Sequence, residues 1–175
     1  NGMVGQKLLE ALVAGNSNYA ITVFGEEPRA AYDRVHLSEY FTGRTADDLL
    51  LAPADFYSQN NITLKLGVQA TAIDRDTRKV TGSDGSSTPY DILVLATGSY
   101  PFVPPVPGKD REHIHVYRTI EDLDAIRESA NVSRVGAVIG GGLLGLEAAK
   151  ALRDLGLETH VIEHGPRLMG VQMDD

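Results

Sequence analysis

Apolar residues open the chain at helical spacing. Val4, Leu8 and Leu12 fall on one face, so Gly2 and Gly5 are predicted to form a turn that runs into a helix over residues 2–12. Gly15-Asn16-Ser17-Asn18 ends it. Ala20-Ile21-Thr22-Val23-Phe24 has the length and branching of a short buried strand. Glu26-Glu27-Pro28 then turns the chain into a loop over residues 29–41, and Thr45 before Asp47 and Asp48 reads as a helix N-cap. Residues 62–66 predict another strand. Over 68–87 apolar and polar residues alternate, and Ser83-Asp84-Gly85-Ser86 carries turn chemistry, which predicts a small antiparallel meander. Ile92-Leu93-Val94-Leu95 predicts a buried strand leading into Ala96-Thr97-Gly98.

Four prolines in residues 101–107 rule out regular structure there and mark a linker. Beyond it, Thr119 with Asp122 three residues on has capping-box spacing for a helix over 120–130. Residues 135–139 predict a strand, 143–155 a helix and 158–162 a strand, which is one βαβ unit. The predicted fold is therefore α/β: two Rossmann-like dinucleotide-binding units, both truncated, with a small antiparallel meander. The expected division is residues 1–106 as one dinucleotide-binding domain and 107–175 as the other.

Composition narrows the chemistry. The formal net charge of -8 and the lack of a basic stripe argue against a nucleic-acid partner. With no cysteine, the segment has no disulfide, thiolate metal site, iron–sulfur ligation or redox-active Cys pair of its own. The longest apolar stretch, 135–146, is rich in glycine and stopped by Glu147, too short to span a bilayer, so no membrane association is expected. The chain opens on Asn1-Gly2 with no starting Met and no basic-then-apolar leader. A cytoplasmic fragment of something longer is the expectation.

Gly140-Gly141-Gly142-Leu143-Leu144-Gly145 fits G-x-G-x-x-G between a predicted strand and a predicted helix, and Glu163 ends the next strand 23 residues after Gly140. Gly140 permits the tight turn, Gly142 lets backbone approach a pyrophosphate, and Gly145 allows close helix–strand packing. The helix start supplies free N–H groups and positive potential. Glu163 would accept hydrogen bonds from an adenosine ribose and repel a 2′-phosphate, which favours NADH over NADPH. Arg167 either softens that preference or is a solvated loop cation. Asn1-Gly2-Met3-Val4-Gly5 is the same fingerprint without its first glycine, with Glu26 or Glu27 where a ribose partner belongs and Glu26 preferred. Two dinucleotide sites in one polypeptide already favour a flavin enzyme, because hydride must pass between two cofactors held close together.

The segment Tyr90-Asp91-Ile92-Leu93-Val94-Leu95-Ala96-Thr97-Gly98-Ser99 resembles the second FAD motif of the pyridine-nucleotide–disulfide oxidoreductase superfamily. Glu26-Glu27-Pro28-Arg29-Ala30-Ala31-Tyr32-Asp33-Arg34-Val35-His36-Leu37-Ser38 is similar to the N-terminal reductase region of NAD(P)H-dependent assimilatory nitrite reductase large subunits. So are Val116-Tyr117-Arg118-Thr119-Ile120-Glu121-Asp122-Leu123 and the glycine turn itself. The resemblance implies a flavoprotein that takes hydride from NAD(P)H onto FAD. It passes electrons to iron–sulfur and sirohaem centres outside this segment, which reduce nitrite to ammonia.

By the same resemblance Ala96, Thr97 and Gly98 lie beside the FAD. Arg34 sits near its pyrophosphate or ring, unless it is a loop ion-pair partner. Glu147 is the acidic residue near the flavin, unless it is an exposed first-turn residue. Partners implied are NAD(P)H and downstream redox domains or a small nitrite reductase subunit, and a homodimer is left open. A standalone ferredoxin- or rubredoxin-type reductase and a non-catalytic dinucleotide-binding fragment are the rival readings. No metal site is expected: His36, His113, His115, His160 and His164 lack ligand spacing on a common helix, and a solvated pair is the plainer reading of His113 and His115.

Overall fold

The computed structural model describes residues 1–170 and Met173. The chain divides into two compact units, residues 1–33 with 49–99, and residues 34–48 with 100–175.

In the first unit, helix α1 (Met3–Ala14) leads into strand β1 (Ile21–Gly25). The single-turn helix α2 (Phe56–Gln59) precedes strand β2 (Ile62–Leu66), which pairs parallel with β1 from Ile21 opposite Ile62 to Gly25 opposite Leu66. Helix and sheet enclose Leu9, Tyr57 and Ile62, with Val13, Ile21, Val23 and Leu64 packed around them. The face of α1 that turns inward differs from the expectation. Val4 is 75% exposed and Leu8 and Leu12 are only half-buried, whereas Gln6 and Leu9 are buried. Spacing alone favoured the leucines; the inward stripe instead includes a polar residue whose amide oxygen accepts the Tyr57 hydroxyl at 2.8 Å. Gln6→Ala should strand that buried phenol and destabilise the first unit by about 2 kcal/mol, read as a lower urea midpoint at unchanged slope.

The predicted meander is present as β3 (Ala70–Asp74), β4 (Lys79–Gly82) and β5 (Ser87–Pro89), antiparallel in sequence order. Lys65 of β2 joins it to the parallel pair: its Nζ donates to Ser86 Oγ and Thr88 Oγ1 and lies 5.0 Å from the Phe24 ring centroid. Two expected elements differ. Thr45–Asp48 starts only a short 3₁₀ turn, Asp47–Leu49, with the Asp48 carboxylate accepting from the Thr45 N–H and hydroxyl. Residues 92–95 form no strand, and Ile92, Val94 and Leu95 are 58–67% exposed. An apolar run signals burial but not its partner. Among the described residues β1 and β2 pair only with each other, so the run has no ladder to join.

The second unit contains α3 (Ile120–Asn131), β6 (Val135–Ile139), α4 (Leu143–Asp154) and β7 (Glu158–Ile162). The capping box is complete: Asp122 N–H donates to Thr119 Oγ1, and the Asp122 carboxylate accepts the Thr119 N–H. Ile120 and Leu123 are fully buried beneath it. Strands β6 and β7 pair parallel, with α4 as the crossover. The 3₁₀ stretch Leu37–Thr42 packs on α3 and α4; on the α3 side the Tyr40 hydroxyl donates to Asp124 at 2.7 Å, and Arg127 donates to the Tyr40 carbonyl and covers its ring at 4.5 Å. Among the described residues no helix is long and apolar enough to cross a membrane.

Candidate functional site

The turn between β6 and α4 has the backbone that its glycines predict. Gly140 has φ +113°, a left-handed conformation that a side chain would strain, and its N–H donates to the Ile162 carbonyl at 2.8 Å. Gly142 is extended and caps α4 without a side-chain bond, and a Cβ placed on it would meet nothing within 4 Å. Gly145 is the opposite case: its Cβ would overlap the Gly140 carbonyl oxygen and lie 2.9 Å from that carbonyl carbon. The helix is thus pressed against the turn while Gly142 leaves an open approach to the helix start. Leu143 and Leu144, the first two helical residues, are exposed there. Free N–H groups of a helix start, an open backbone and positive potential suit a pyrophosphate.

Glu163 closes the other side. Its carboxylate accepts the Gly141 N–H at 2.6 Å through one oxygen and the Gly165 N–H at 2.6 Å through the other. Those bonds, from Gly165 first and Gly141 next, hold the carboxyl below the ordinary glutamate range. Residues 165–170 fold back over the glycines: Met169 N–H donates to the Gly141 carbonyl at 2.9 Å, and the Leu168 side chain covers the Cα of Gly141. A groove of about 360 Å³ remains, lined by Gly141, Gly142, Glu163 and Arg167 among others. This return loop was not legible from the motif, whose spacing ends at Glu163.

Glu147 is half-buried on α4. Burial first, and the Glu147 charge second, push the Tyr117 phenol up to about 12. Tyr117 stacks on Phe41 with ring centroids 6.4 Å apart. Its proximity to Glu147 carries no sequence signal, since 30 residues separate them. Arg34 belongs to this second unit, where its Nη1 donates to the Arg118 carbonyl at 2.9 Å.

The first unit repeats the turn in shorter form. Gly2 is the extended N-cap of α1, its carbonyl accepts the Gln6 N–H at 2.8 Å, and a Cβ on it would meet nothing within 4 Å. Met3 is the first helical residue. A Cβ on Gly5 would lie 3.9 Å from that of Ala96, so the structure brings the N-terminal glycines and the Ala96-Thr97-Gly98 segment together. Thr97 and Gly98 are exposed, and Gly98 has φ +69°. Glu26 and Glu27 follow β1 directly. Glu26 accepts from the Gln69 amide at 3.2 Å and Glu27 from the Tyr32 hydroxyl at 2.6 Å.

Two glycine-opened helix starts, each with a carboxylate at or just after the end of the following strand, are a family-level arrangement, and the sequence agrees: residues 2–175 match the family described as pyridine nucleotide-disulphide oxidoreductase. The chain belongs to the pyridine nucleotide-disulphide oxidoreductase family. Within the family it is 56% identical to the Klebsiella oxytoca protein named nitrite reductase [NAD(P)H] large subunit, over the whole of this chain and 18% of that protein. It is 52% identical to the nitrite reductase (NADH) large subunit of Escherichia coli K12, over 99% of this chain and 21% of that one. The crystal structure of a ferredoxin reductase from Rhodopseudomonas palustris superposes with TM-score 0.90 at 29% identity, over 97% of this chain and 42% of that one. The chain spans about a fifth of the length of these curated nitrite reductase relatives.

Proposed function

We propose that this chain is the electron-entry part of a nitrite reductase large subunit, in which NAD(P)H reduces a bound FAD. The observation that carries the reading is the β6–α4 turn, where an open Gly142, a wedged Gly145 and the Glu163 carboxylate frame an open approach to a helix start. The relatives named as nitrite reductases supply the larger setting. In that setting residues 1–106 hold FAD and residues 107–175 hold the nicotinamide dinucleotide, in a cytoplasmic protein.

When bound, the two cofactors supply hydride acceptance and single-electron release, toward iron–sulfur and sirohaem centres outside this segment that reduce nitrite to ammonia. The chain's own groups bind and orient. Gly140, Gly142 and the first N–H groups of α4, at Leu143 and Leu144, hold the nicotinamide dinucleotide's pyrophosphate, and Gly145 keeps the helix close enough for them to reach it. Glu163 exchanges its bonds to Gly141 and Gly165 for the adenosine ribose, and its charge disfavours a 2′-phosphate, so NADH is preferred. In the first unit Gly2, Met3 and Gly5 receive the FAD pyrophosphate, Glu26 or Glu27 its ribose, and Ala96, Thr97 and Gly98 border it. Glu147 is the charged group at the nicotinamide end. Electrons leave to downstream redox domains or a small nitrite reductase subunit.

The test uses the parent polypeptide that contains this chain: bound flavin absorbance, then anaerobic NADH. Rapid bleaching by NADH, slower with NADPH, is the expected result. Bound flavin that ignores both nicotinamides would sink the electron-transfer reading.

A further inference from the structure

Two neighbouring polar groups of the second unit leave their hydrogen-bonding capacity unused. The Tyr117 hydroxyl is buried and has no hydrogen-bond partner among the described residues. Glu147, half-buried on α4, makes no hydrogen bond or ion pair among them either, yet its charge acts on the Tyr117 phenol. A phenol has one hydrogen to donate and an ionised carboxylate only accepts, so each supplies what the other lacks. Given the electron-entry role proposed for the chain, we infer that Tyr117 is the positioning residue of Glu147. Its hydroxyl takes the carboxylate in a hydrogen bond and fixes it at the nicotinamide end of the bound dinucleotide.

The donor is held in place. The Tyr117 ring stacks on Phe41, with centroids 6.4 Å apart and planes 20° from parallel, and Phe41 lies in the 3₁₀ stretch Leu37–Thr42 that packs on α4. Ser38 of the same stretch favours the ionised phenol without reaching it in hydrogen-bond geometry. Burial first, and the Glu147 charge second, act the other way and prevail. The phenol therefore keeps its proton at neutral pH, and with it the capacity to donate. An unpartnered buried hydroxyl is costly, and phenylalanine would fill the same space without that cost.

The acceptor is in the right place. Glu147 follows Leu143 by four residues and Leu144 by three, so it lies one turn along α4 on the face of those exposed leucines. Half-buried there, it draws on water for its hydrogen bonds. When water leaves that face as the dinucleotide seats, the carboxylate needs a protein donor, and the Tyr117 hydroxyl is the neighbour with a hydrogen to give. Hydrogen bonds of this kind tighten as a ligand settles. A carboxylate held in one position aligns the dinucleotide for hydride transfer, an effect that appears in rate rather than in affinity.

The test uses the parent polypeptide and anaerobic stopped-flow reduction of its flavin by NADH. Tyr117→Phe keeps the ring on Phe41 and removes only the hydroxyl; it should slow bleaching about tenfold with NADH affinity unchanged. Combined with Glu147→Gln, it should bleach no more slowly than Glu147→Gln alone. Bleaching at the parent rate, a loss confined to NADH affinity, or losses that multiply in the double variant would overturn the inference alone. Parent flavin that NADH never bleaches would instead remove the electron-entry reading, and this role with it. A second readout needs no turnover. In the full chain carrying tyrosine labelled with carbon-13 at Cζ, bound NAD⁺ should move the Tyr117 resonance downfield, and Glu147→Gln should abolish the movement. A resonance that stays in place, or moves as far in Glu147→Gln, would count against the pairing and refute it, and this readout decides the matter if Tyr117→Phe does not fold.

Discussion

Gly145→Ala should unfold the second unit at a temperature well below the parent chain's, whereas Gly142→Ala should leave unfolding almost unchanged and weaken only dinucleotide binding. At Gly145 the added methyl would run into the Gly140 carbonyl, which is backbone and cannot rotate away. The helix must lift off the turn, at a cost near the upper end of overpacking penalties, about 3 kcal/mol. Lifting it also removes the N–H groups from the position a pyrophosphate needs. At Gly142 the methyl would enter open space, and φ −79° with ψ −177° is ordinary for alanine. The same open space is where a pyrophosphate would approach, so NADH affinity should fall about tenfold or more while the fold survives, in line with loss of one well-made charged contact. Thermal unfolding paired with NADH titration separates the two variants. If Gly142→Ala bound NADH as tightly as the parent chain, the pyrophosphate would have to lie elsewhere.

Glu163→Gln should lower NADH affinity by about tenfold or more and narrow the gap to NADPH, because the neutral amide no longer repels a 2′-phosphate and accepts ribose hydroxyls less strongly. The carboxylate also organises the turn by holding the N–H groups of Gly141 and Gly165. The Gly165 and Gly141 N–H groups hold its carboxyl below the ordinary glutamate range in the folded chain. A depressed folded value means that its contribution is fully present above the unfolded value and is lost as pH falls through the folded one. Slow amide exchange at Gly141 and Gly165 should therefore persist through the ordinary glutamate titration range and disappear only at more acidic pH. Exchange already fast at pH 6 would show that these bonds do not hold the turn.

Local signals were the ones the sequence carried well. The capping box at Thr119 and the strand–glycine–helix–strand run of the second unit depend on residues within a few positions of each other, and both are found where expected. The meander was legible for the same reason, since its hairpins are short. Misses came where the partner is distant. Helical spacing named Leu8 and Leu12, but the buried face of α1 is set by Tyr57, 51 residues away from Gln6. The 92–95 run has the composition of a buried strand, yet pairing decides a strand, and the run has no ladder here. Glu163 was legible as a carboxylate at a strand end. Its grip on Gly141 and the return of Met169 over the turn depend on the fold of a loop that no spacing rule reaches.

The partition of the chain has a practical side for anyone who would dissect it. The polypeptide passes from the first unit to the second at residue 33, returns at 48 and leaves again at 99, so the second unit is not a single uninterrupted piece of the gene. A cut at the proline run would yield a downstream product without Leu37, which is 3% exposed, and without Tyr40, the partner of Asp124 and Arg127. Scissors placed where the sequence most invites them would therefore remove part of the very unit they were meant to isolate. A faithful excision must carry residues 34–48 along, spliced or supplied in trans.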